Sequence, residues 1–337
     1  MKKTVISTAI LSALISSSAF AANVYKDGTT ELNISGRAEA RFNASSNNEY
    51  KSYTDEIIIG NKIIKENRER KNGNKFDDLS RARLSVTGRT EISSSLYGFG
   101  KYENEVTKDS DLEARYIFAG IGTEIGEFSY GKQDTAQVMI TDFTDIMATF
   151  GADADAALSI NGSSDKQDGN FSYKGEFGNL TLGSNYVAEN DEDFNQYGIA
   201  ALYAFDFGLT LAAGYAGGEA YDYDVNQINI GAKYNISHFT FGALYQWVDI
   251  GDDIDEQNDG FELSAMYNLN HWTFAAVYNY ATYNDGEDEA VNNLAAEAVY
   301  VFNPNLQVYA GYKFDFIDEG YRHDDNNQFQ AGIRYDF

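Results

Sequence analysis

One pattern repeats along almost the whole chain: short segments in which apolar and polar residues alternate with period two. Its last copy is the plainest. Phe329, Ala331, Ile333, Tyr335 and Phe337 fall on one face, and Gln330, Gly332, Arg334 and Asp336 on the other. Period two is the mark of a β-strand with two different faces. Such segments fall near residues 31–42, 79–89, 93–106, 112–124, 126–133, 168–175, 179–189, 194–206, 208–217, 225–235, 237–249, 259–268, 271–282, 290–302, 305–316 and 327–337. That is sixteen strands, an even number, as a closed antiparallel sheet with both termini on one side requires. The terminal strand needs something to close against, and its natural partner is the first strand.

The two faces need two solvents. One face carries polar residues: Asn229 and Lys233, Thr240 and Gln246, Glu262 and Ser264, Thr273 and Asn279, Asn293 and Glu297, Lys313 and Asp315. The other is apolar and aromatic. A soluble sandwich would bury one face in a dry core. A water-filled barrel in lipid satisfies both faces and leaves no sheet edge unpaired. Composition agrees: 25 Tyr and 22 Phe, but a single Pro and no Cys. A disulfide-stabilised secreted domain is thereby excluded. Phe205, Phe207, Tyr234, Phe239, Tyr267, Trp272, Phe302 and Phe337 flank the tight turns on the apolar face, where a membrane interface places amphipathic rings.

Residues 1–21 read as a secretory signal peptide: Lys2 and Lys3, an apolar core from Val5 to Ile15, then Ala19-Phe20-Ala21. Cleavage after Ala21 leaves residues 22–337, and loss of the two lysines takes the formal net charge from −27 to −29. The acidic excess argues against nucleic acid as a partner and suits cations. Connections alternate between tight turns and longer, mostly acidic loops at 190–193, 218–224, 251–259, 284–289 and 318–327. Residues 43–78 form a long polar connection holding Ile57-Ile58-Ile59 and a mixed-charge run from Lys62 to Lys75, to which the pattern assigns no structure.

Residues 134–167 separate two strands by more than a turn needs, and loops of that length are usually functional. Ile140, Phe143, Met147 and Phe150 recur at helical spacing, with Asp142, Asp145 and Thr149 roughly opposite. A loop waving outward would need no apolar stripe. The expectation is a loop folded into the barrel, its stripe on the wall and its aspartates toward the water. The plainer alternative is a surface helix over the barrel mouth.

Several pieces carry a family resemblance. Residues 144–153, Thr-Asp-Ile-Met-Ala-Thr-Phe-Gly-Ala-Asp, resemble the constriction-loop motif of general, non-specific porins of the OmpC/OmpF/OmpU kind. Gly36-Arg37-Ala38, residues 81–84 with Gly88, residues 114–120, Gly126–Gly131 and Ile333–Phe337 match in order and spacing. The resemblance implies an all-β, 16-stranded antiparallel transmembrane β-barrel with an inward-folded third outer loop. It also implies a homotrimer in the outer membrane of a Gram-negative bacterium and passive diffusion of ions and small hydrophilic solutes. A basic wall at Arg37, Arg83, Arg115 and Lys166 would face loop groups Asp142, Asp145, Thr149 and Asp153, with Arg81, Lys101 and Glu103 also lining the lumen. Thr149 stands where the family carries its second loop acid. The connection matching the family's second outer loop is only about residues 107–111. Tyr335 and Phe337 resemble the terminal signal read by the barrel-assembly machinery.

The mechanism so implied is filtering rather than chemistry, with weak cation selectivity and no cofactor. Outer acids would bind lipopolysaccharide through divalent cations. His238, His271 and His323 show no zinc-ligand spacing, and nothing reads as a catalytic cluster. Two alternatives stand beside the porin. A substrate-specific channel would show a ladder of aromatics along the lumen, whereas the inward faces read as mostly small and polar. An adhesin or receptor barrel would use large outer loops, for which only residues 43–78 offer material.

Overall fold

The computed structural model describes residues 22–45, 53–59, 62–68, 76–109, 111–159, 163–188, 195–220, 223–251, 256–283, 286, 288–317 and 327–337. The signal-peptide segment and most of the acidic outer-loop residues lie outside these.

The chain opens with β1 (Ala22–Lys26), β2 (Thr30–Ser45), β3 (Tyr53–Ile59), β4 (Lys62–Arg68), β5 (Phe76–Asp78), β6 (Arg81–Ser93), β7 (Leu96–Thr107), β8 (Leu112–Thr123) and β9 (Gly126–Asp134). Two short helices follow, α1 (Val138–Thr141) and α2 (Asp153–Leu158). The wall resumes with β10 (Lys166–Phe177), β11 (Leu180–Val187), β12 (Gln196–Ala204), β13 (Leu209–Ala220), β14 (Tyr223–Ile236) and β15 (Phe239–Ile250). It ends with β16 (Glu256–Leu269), β17 (Trp272–Tyr283), β18 (Asp288–Asn303), β19 (Leu306–Asp315) and β20 (Gln328–Asp336).

Eighteen strands form one antiparallel sheet. β5 and β6 share one edge of β2, and β1 and β20 share the other, so the wall has sixteen positions. The remaining pair, β3 and β4, is a separate hairpin within the long polar connection, where the sequence suggested no structure. Period-two alternation shows that a segment is extended, but not that two polar segments will find each other.

The seam closes as the terminal strand demanded. Arg37 to Ser45 of β2 lie opposite Asp336 to Gln328 of β20. Beyond the last ladder pair, Phe337 N–H donates to Gly36 O at 3.0 Å and Gly36 N–H donates to Phe337 O at 2.8 Å. Only a glycine fits there: a Cβ on Gly36 would meet the Arg83 carbonyl oxygen and lie 2.6 Å from the Phe337 ring. Gly36→Val is therefore expected to cost about 1–3 kcal/mol through overpacking of the seam. The loss should appear as a lower temperature for conversion of the folded to the unfolded band in semi-native electrophoresis; an unchanged temperature would mean that the seam is not so tightly fitted.

Outward faces carry the large exposed apolar residues, such as Ile228, Ile230, Tyr245 and Leu263. Aromatics collect beside the tight turns, where Phe239 stacks on Tyr267 at 4.6 Å and Trp272 meets Tyr300 edge-on at 4.8 Å. Gly208, Ser237 and Asn270 hold the positive φ that such turns require. Inward positions on the same strands are buried and largely polar: Gln227, Asn229, Gln246, Glu262 and Asn279. They are buried because the segment between β9 and β10 covers them.

Candidate functional site

That segment makes hydrogen bonds to the polar faces of strands far apart around the wall, which only the interior of a closed barrel permits. The Gln137 amide, at the start of α1, donates to the carbonyls of Ile199 and Tyr215 at 3.2 and 2.9 Å and accepts from Asn229 at 3.0 Å. Ser264 donates to Phe143 O at 3.1 Å. Across the barrel, Arg41 donates to Ala148 O at 3.4 Å.

Two buried wall glutamates act as the main anchors. Glu262 accepts from the Thr144 hydroxyl at 2.5 Å and from Asp155 N–H at 3.0 Å, gathering two loop positions eleven residues apart. Glu297 accepts from Ala148 N–H at 3.0 Å and from Thr149 N–H at 2.7 Å. Charge-assisted bonds of this kind are worth about 1.5–3 kcal/mol each, and losing the acceptor would leave loop N–H groups buried and unpaired.

Apolar seats complete the docking. Ala136, Ile140 and Phe143 pack on Ala200, Ala212 and Leu244. Ile146 packs with Met266, Ala275 and Val277, and Ala154 with Leu158 fills a patch made by Val225, Val248, Ala281 and Val291. The inward face is thus not polar throughout; it turns apolar where the loop sits. The helical spacing read across 140–150 gives only one short helix before a run of turns. Gly151 and Ala152 hold positive φ there, and the N–H groups of 148 and 149 go to Glu297 rather than to a helix. Phe143 and Phe150 are buried nonetheless.

What the loop leaves open is a cavity of about 440 Å³ between itself and the opposite wall. Asp142, Asp145 and Thr149 line the loop side. Arg37, Arg41, Arg81, Arg83, Arg115 and Arg334 line the wall side. β2, β6 and β20 aim five of these guanidinium groups inward because each lies on the polar parity of its strand, and Arg115 of β8 stands at a bulge, unpaired between Tyr116 opposite Glu103 and Ala114 opposite Asn104; Arg37 sits directly opposite Arg83 in the β2–β6 ladder. Acids interleave them. Arg81 bonds Glu39 at 2.5 Å and lies 3.7 Å from Glu105, Arg83 bonds Glu105, Arg115 bonds Glu103 at 3.1 Å, and Arg334 bonds Asp336 at 3.0 Å. The Tyr309 hydroxyl donates to Glu39 at 2.8 Å.

Of the residues singled out from sequence, Arg37, Arg81, Arg83, Arg115, Asp142, Asp145 and Thr149 come together at this cavity. Lys101 lies 3.3 Å from Glu103, beside it on the wall. Lys166 sits at the root of the loop, 3.3 Å from Asp134 and 2.9 Å from Asp165. Asp153 is turned to the wall, bound by Lys313 at 3.0 Å and by Asn293 at 2.8 Å. Arg41, Arg334, Glu297 and Glu262 were not picked out for the site, although strand parity puts all four on the polar face of their strands, Arg41 with Arg37. Burial pushes Asp142 up to about 6, helped by the neighbouring Asp145 and Asp134. The protein crowded around Asp145 also raises it, although its side chain stays open to the cavity, and burial raises Asp155 to about 6. Among the described residues no group of His, Asp and Glu is arranged to hold a metal ion.

A closed sixteen-stranded barrel with a charged, loop-narrowed interior is the architecture of a diffusion channel, and comparison with known proteins gives the same class. The family model for Gram-negative porins matches residues 7–320. Porin-like protein L of Photobacterium profundum is 34% identical and outer membrane protein U of Vibrio vulnificus 36% identical, each over the full length of both chains. Among solved structures, Salmonella typhi OmpF in complex with daunomycin superposes with a TM-score of 0.76 at 20% identity, covering 94% of this chain and all of that one. A trimer form of OmpT from Vibrio cholerae gives 0.72 at 18% identity, covering 92% of this chain and all of that one. The chain belongs to the Gram-negative porin family. It is a general porin, a non-enzymatic β-barrel channel of the outer membrane.

Proposed function

We propose that the cavity between the loop and the arginine wall is the selectivity constriction of this porin, and that it passes small hydrophilic solutes with weak preference for cations. One observation carries the reading: six guanidinium groups face Asp142 and Asp145 across about 440 Å³. Opposed charges at that range set up a transverse field. A polar solute aligns with it, and a bulky apolar one must shed water to pass. The six arginines are met by seven acids, Glu39, Glu103, Glu105, Asp336, Glu297, Asp142 and Asp145. The local balance is therefore near neutral, and the strongly acidic chain as a whole tips it toward cations.

The test is a planar-bilayer recording of the purified mature protein, with reversal potential measured across a salt gradient. A modest cation-selective potential at pH 7.5 is expected; an anion-selective one would refute the preference. The pH dependence has a definite sign. Asp142 titrates near 6 and Asp145 is also raised, so acidification through pH 6 neutralises loop carboxylates while the guanidinium groups stay charged. Selectivity should move toward anions between pH 7.5 and pH 5, and a flat profile would remove the loop acids from the mechanism.

We further propose a homotrimer, in line with the small outward face of β2 at Gly36, Ala38 and Ala40. Export through cleavage after Ala21 fits the pairing of Ala22 with Ile34, two residues from the place where Phe337 occupies the same edge of β2. Recognition of Tyr335 and Phe337 by the assembly machinery, and lipopolysaccharide bridged through divalent cations at the outer acids, belong to the same reading.

A further inference from the structure

β7 and β8 break the polar character of the lumen. Tyr97 and Phe99 share the inward parity of Lys101 and Glu103, and on β8 Tyr116 and Phe118 face them. The four rings form a continuous row, Tyr97–Phe99–Phe118–Tyr116, with successive centroids 6.0, 6.3 and 6.1 Å apart. The row starts beside the short turn between β6 and β7 and ends at the root of the loop, where the Tyr116 hydroxyl donates to Asp134 at 2.9 Å. All four rings are partly exposed.

Tyr97 and Phe99 are seated along the wall over the glycines of β8, and Phe118 stands nearly edge-on to both Phe99 and Tyr116, at 75° and 70°. A Cβ on Gly120 would lie 2.6 Å from the Phe99 ring, and one on Gly122 would fall within the Tyr97 ring. The two tyrosines are fixed at their hydroxyls, Tyr97 donating to Glu127 at 2.6 Å. Cations already cover both ends: the Arg89 guanidinium lies 3.4 Å from the Tyr97 centroid and Lys101 Nζ 3.5 Å from that of Tyr116. The middle of the row, Phe99 and Phe118, carries no such cover among the described residues. It borders a cavity of about 480 Å³ whose rim offers donors, Lys101 and Lys174, and acceptors, Glu127, Asp134 and Asp142.

We propose that Phe99 and Phe118 form a subsite for a sugar ring on the short-turn side of the constriction. The inference rests on the reading that solutes cross past the loop. A pyranose presents a face of C–H groups, weakly positive, to the negative face of an aromatic ring, and hydroxyls at its edge to donors and acceptors alike. A rim of both signs suits a neutral polyhydroxyl better than an ion. A planar cation, although drawn by the three acids, would find the tyrosine faces already taken by Arg89 and Lys101.

The test uses purified porin in planar bilayers with maltotriose added from the short-turn side. Reversible, saturable current blockade by maltotriose, and none by a polyethylene glycol of matched mass, is the expected result. Phe99→Leu and Phe118→Leu keep apolar volume but lose the flat face. Each should weaken blockade about tenfold while leaving ion conductance unchanged. A ring with only a structural role, filling the space above Gly120, would change conductance or folding without changing relative blockade. Equal blockade by the two polymers, or blockade by the planar cation acriflavine and not by maltotriose, would overturn the proposal while leaving the channel intact. Folded protein that conducts no ions would instead overturn the constriction reading beneath it.

Discussion

Deleting residues 140–156 is expected to raise single-channel conductance severalfold and to admit solutes that the intact protein excludes. The segment fills the lumen from the Ile140 seat on β12 and β13 to Thr149, which hydrogen-bonds Glu297 of β18. The barrel itself should survive, because its ladders, from β2 against β20 to β18 against β19, do not pass through the loop. Deletion exposes the apolar seats at Leu244, Val248 and Val277 to lumen water, at a cost of roughly 25 cal/mol per Å² of apolar surface uncovered. A lowered melting temperature should therefore accompany the wider pore. Unchanged conductance from folded protein would show that the loop does not set the pore. A milder variant separates tethering from presence. Glu262→Gln with Glu297→Gln keeps the shape of both anchors and weakens four hydrogen bonds, so open-channel noise should rise more than mean conductance.

The second large effect concerns the wall. Arg37→Gln together with Arg83→Gln is expected to turn weak cation preference into strong preference. At about 8 Å a unit charge contributes roughly 0.5–2 kcal/mol to the energy of a passing ion, for effective dielectric constants between that of water and about 20. Removing two arginines thus changes the cation-to-anion permeability ratio by about tenfold or more at low salt, and less at high salt, where screening shortens the reach of each charge. The geometry predicts that folding is preserved: Glu105 and Glu39 both keep Arg81, at 3.7 and 2.5 Å. The reversal potential across a potassium chloride gradient measures the change. An unaltered ratio would mean that permeating ions do not pass this wall.

The interleaved acids matter to both results. A bare row of guanidinium groups would repel cations outright. Here Glu39, Glu103, Glu105 and Asp336 lie within the same ladders, so the arginines shape a field without dominating its sign. Which arginine meets which glutamate is decided by register, and register follows from strand pairing across tens of residues.

How much was legible beforehand differs from strand to strand. On β14 to β17 the alternation that set Asn229, Lys233, Gln246, Glu262 and Asn279 on the polar face named the inward side correctly, with Ile228, Tyr245 and Leu263 left outward. On β7 the same parity put Tyr97 and Phe99 inward with Lys101 and Glu103, yet the lumen was taken as small and polar; on β8 a wall arginine at 115 would by alternation turn Tyr116 and Phe118 outward, and the bulge opposite Glu103 and Asn104 brings them inward as well. Rings in a barrel are expected on the lipid side, and neighbouring glycines reveal that Tyr97 and Phe99 lie along the inner wall. The apolar stripe Ile140, Phe143 and Phe150 announced a buried face, and buried it is, although the backbone there is mostly turns rather than one helix.

The sequence by itself determined the strand count, the two-faced wall, the closure of β20 on β2 and the inward turn of Arg37 and Arg83. These follow from a local rule: side chains alternate along an extended backbone, and each face must find its solvent. Tertiary structure decided what that rule cannot reach. It placed Glu262 and Glu297 under the loop, paired Asp153 with Lys313 rather than leaving it at the cavity, set Arg41 and Arg334 beside the arginines already foreseen, and joined four rings into one row. Those outcomes depend on which strands become neighbours and where a thirty-residue segment comes to rest against them, and period-two alternation carries no information about either.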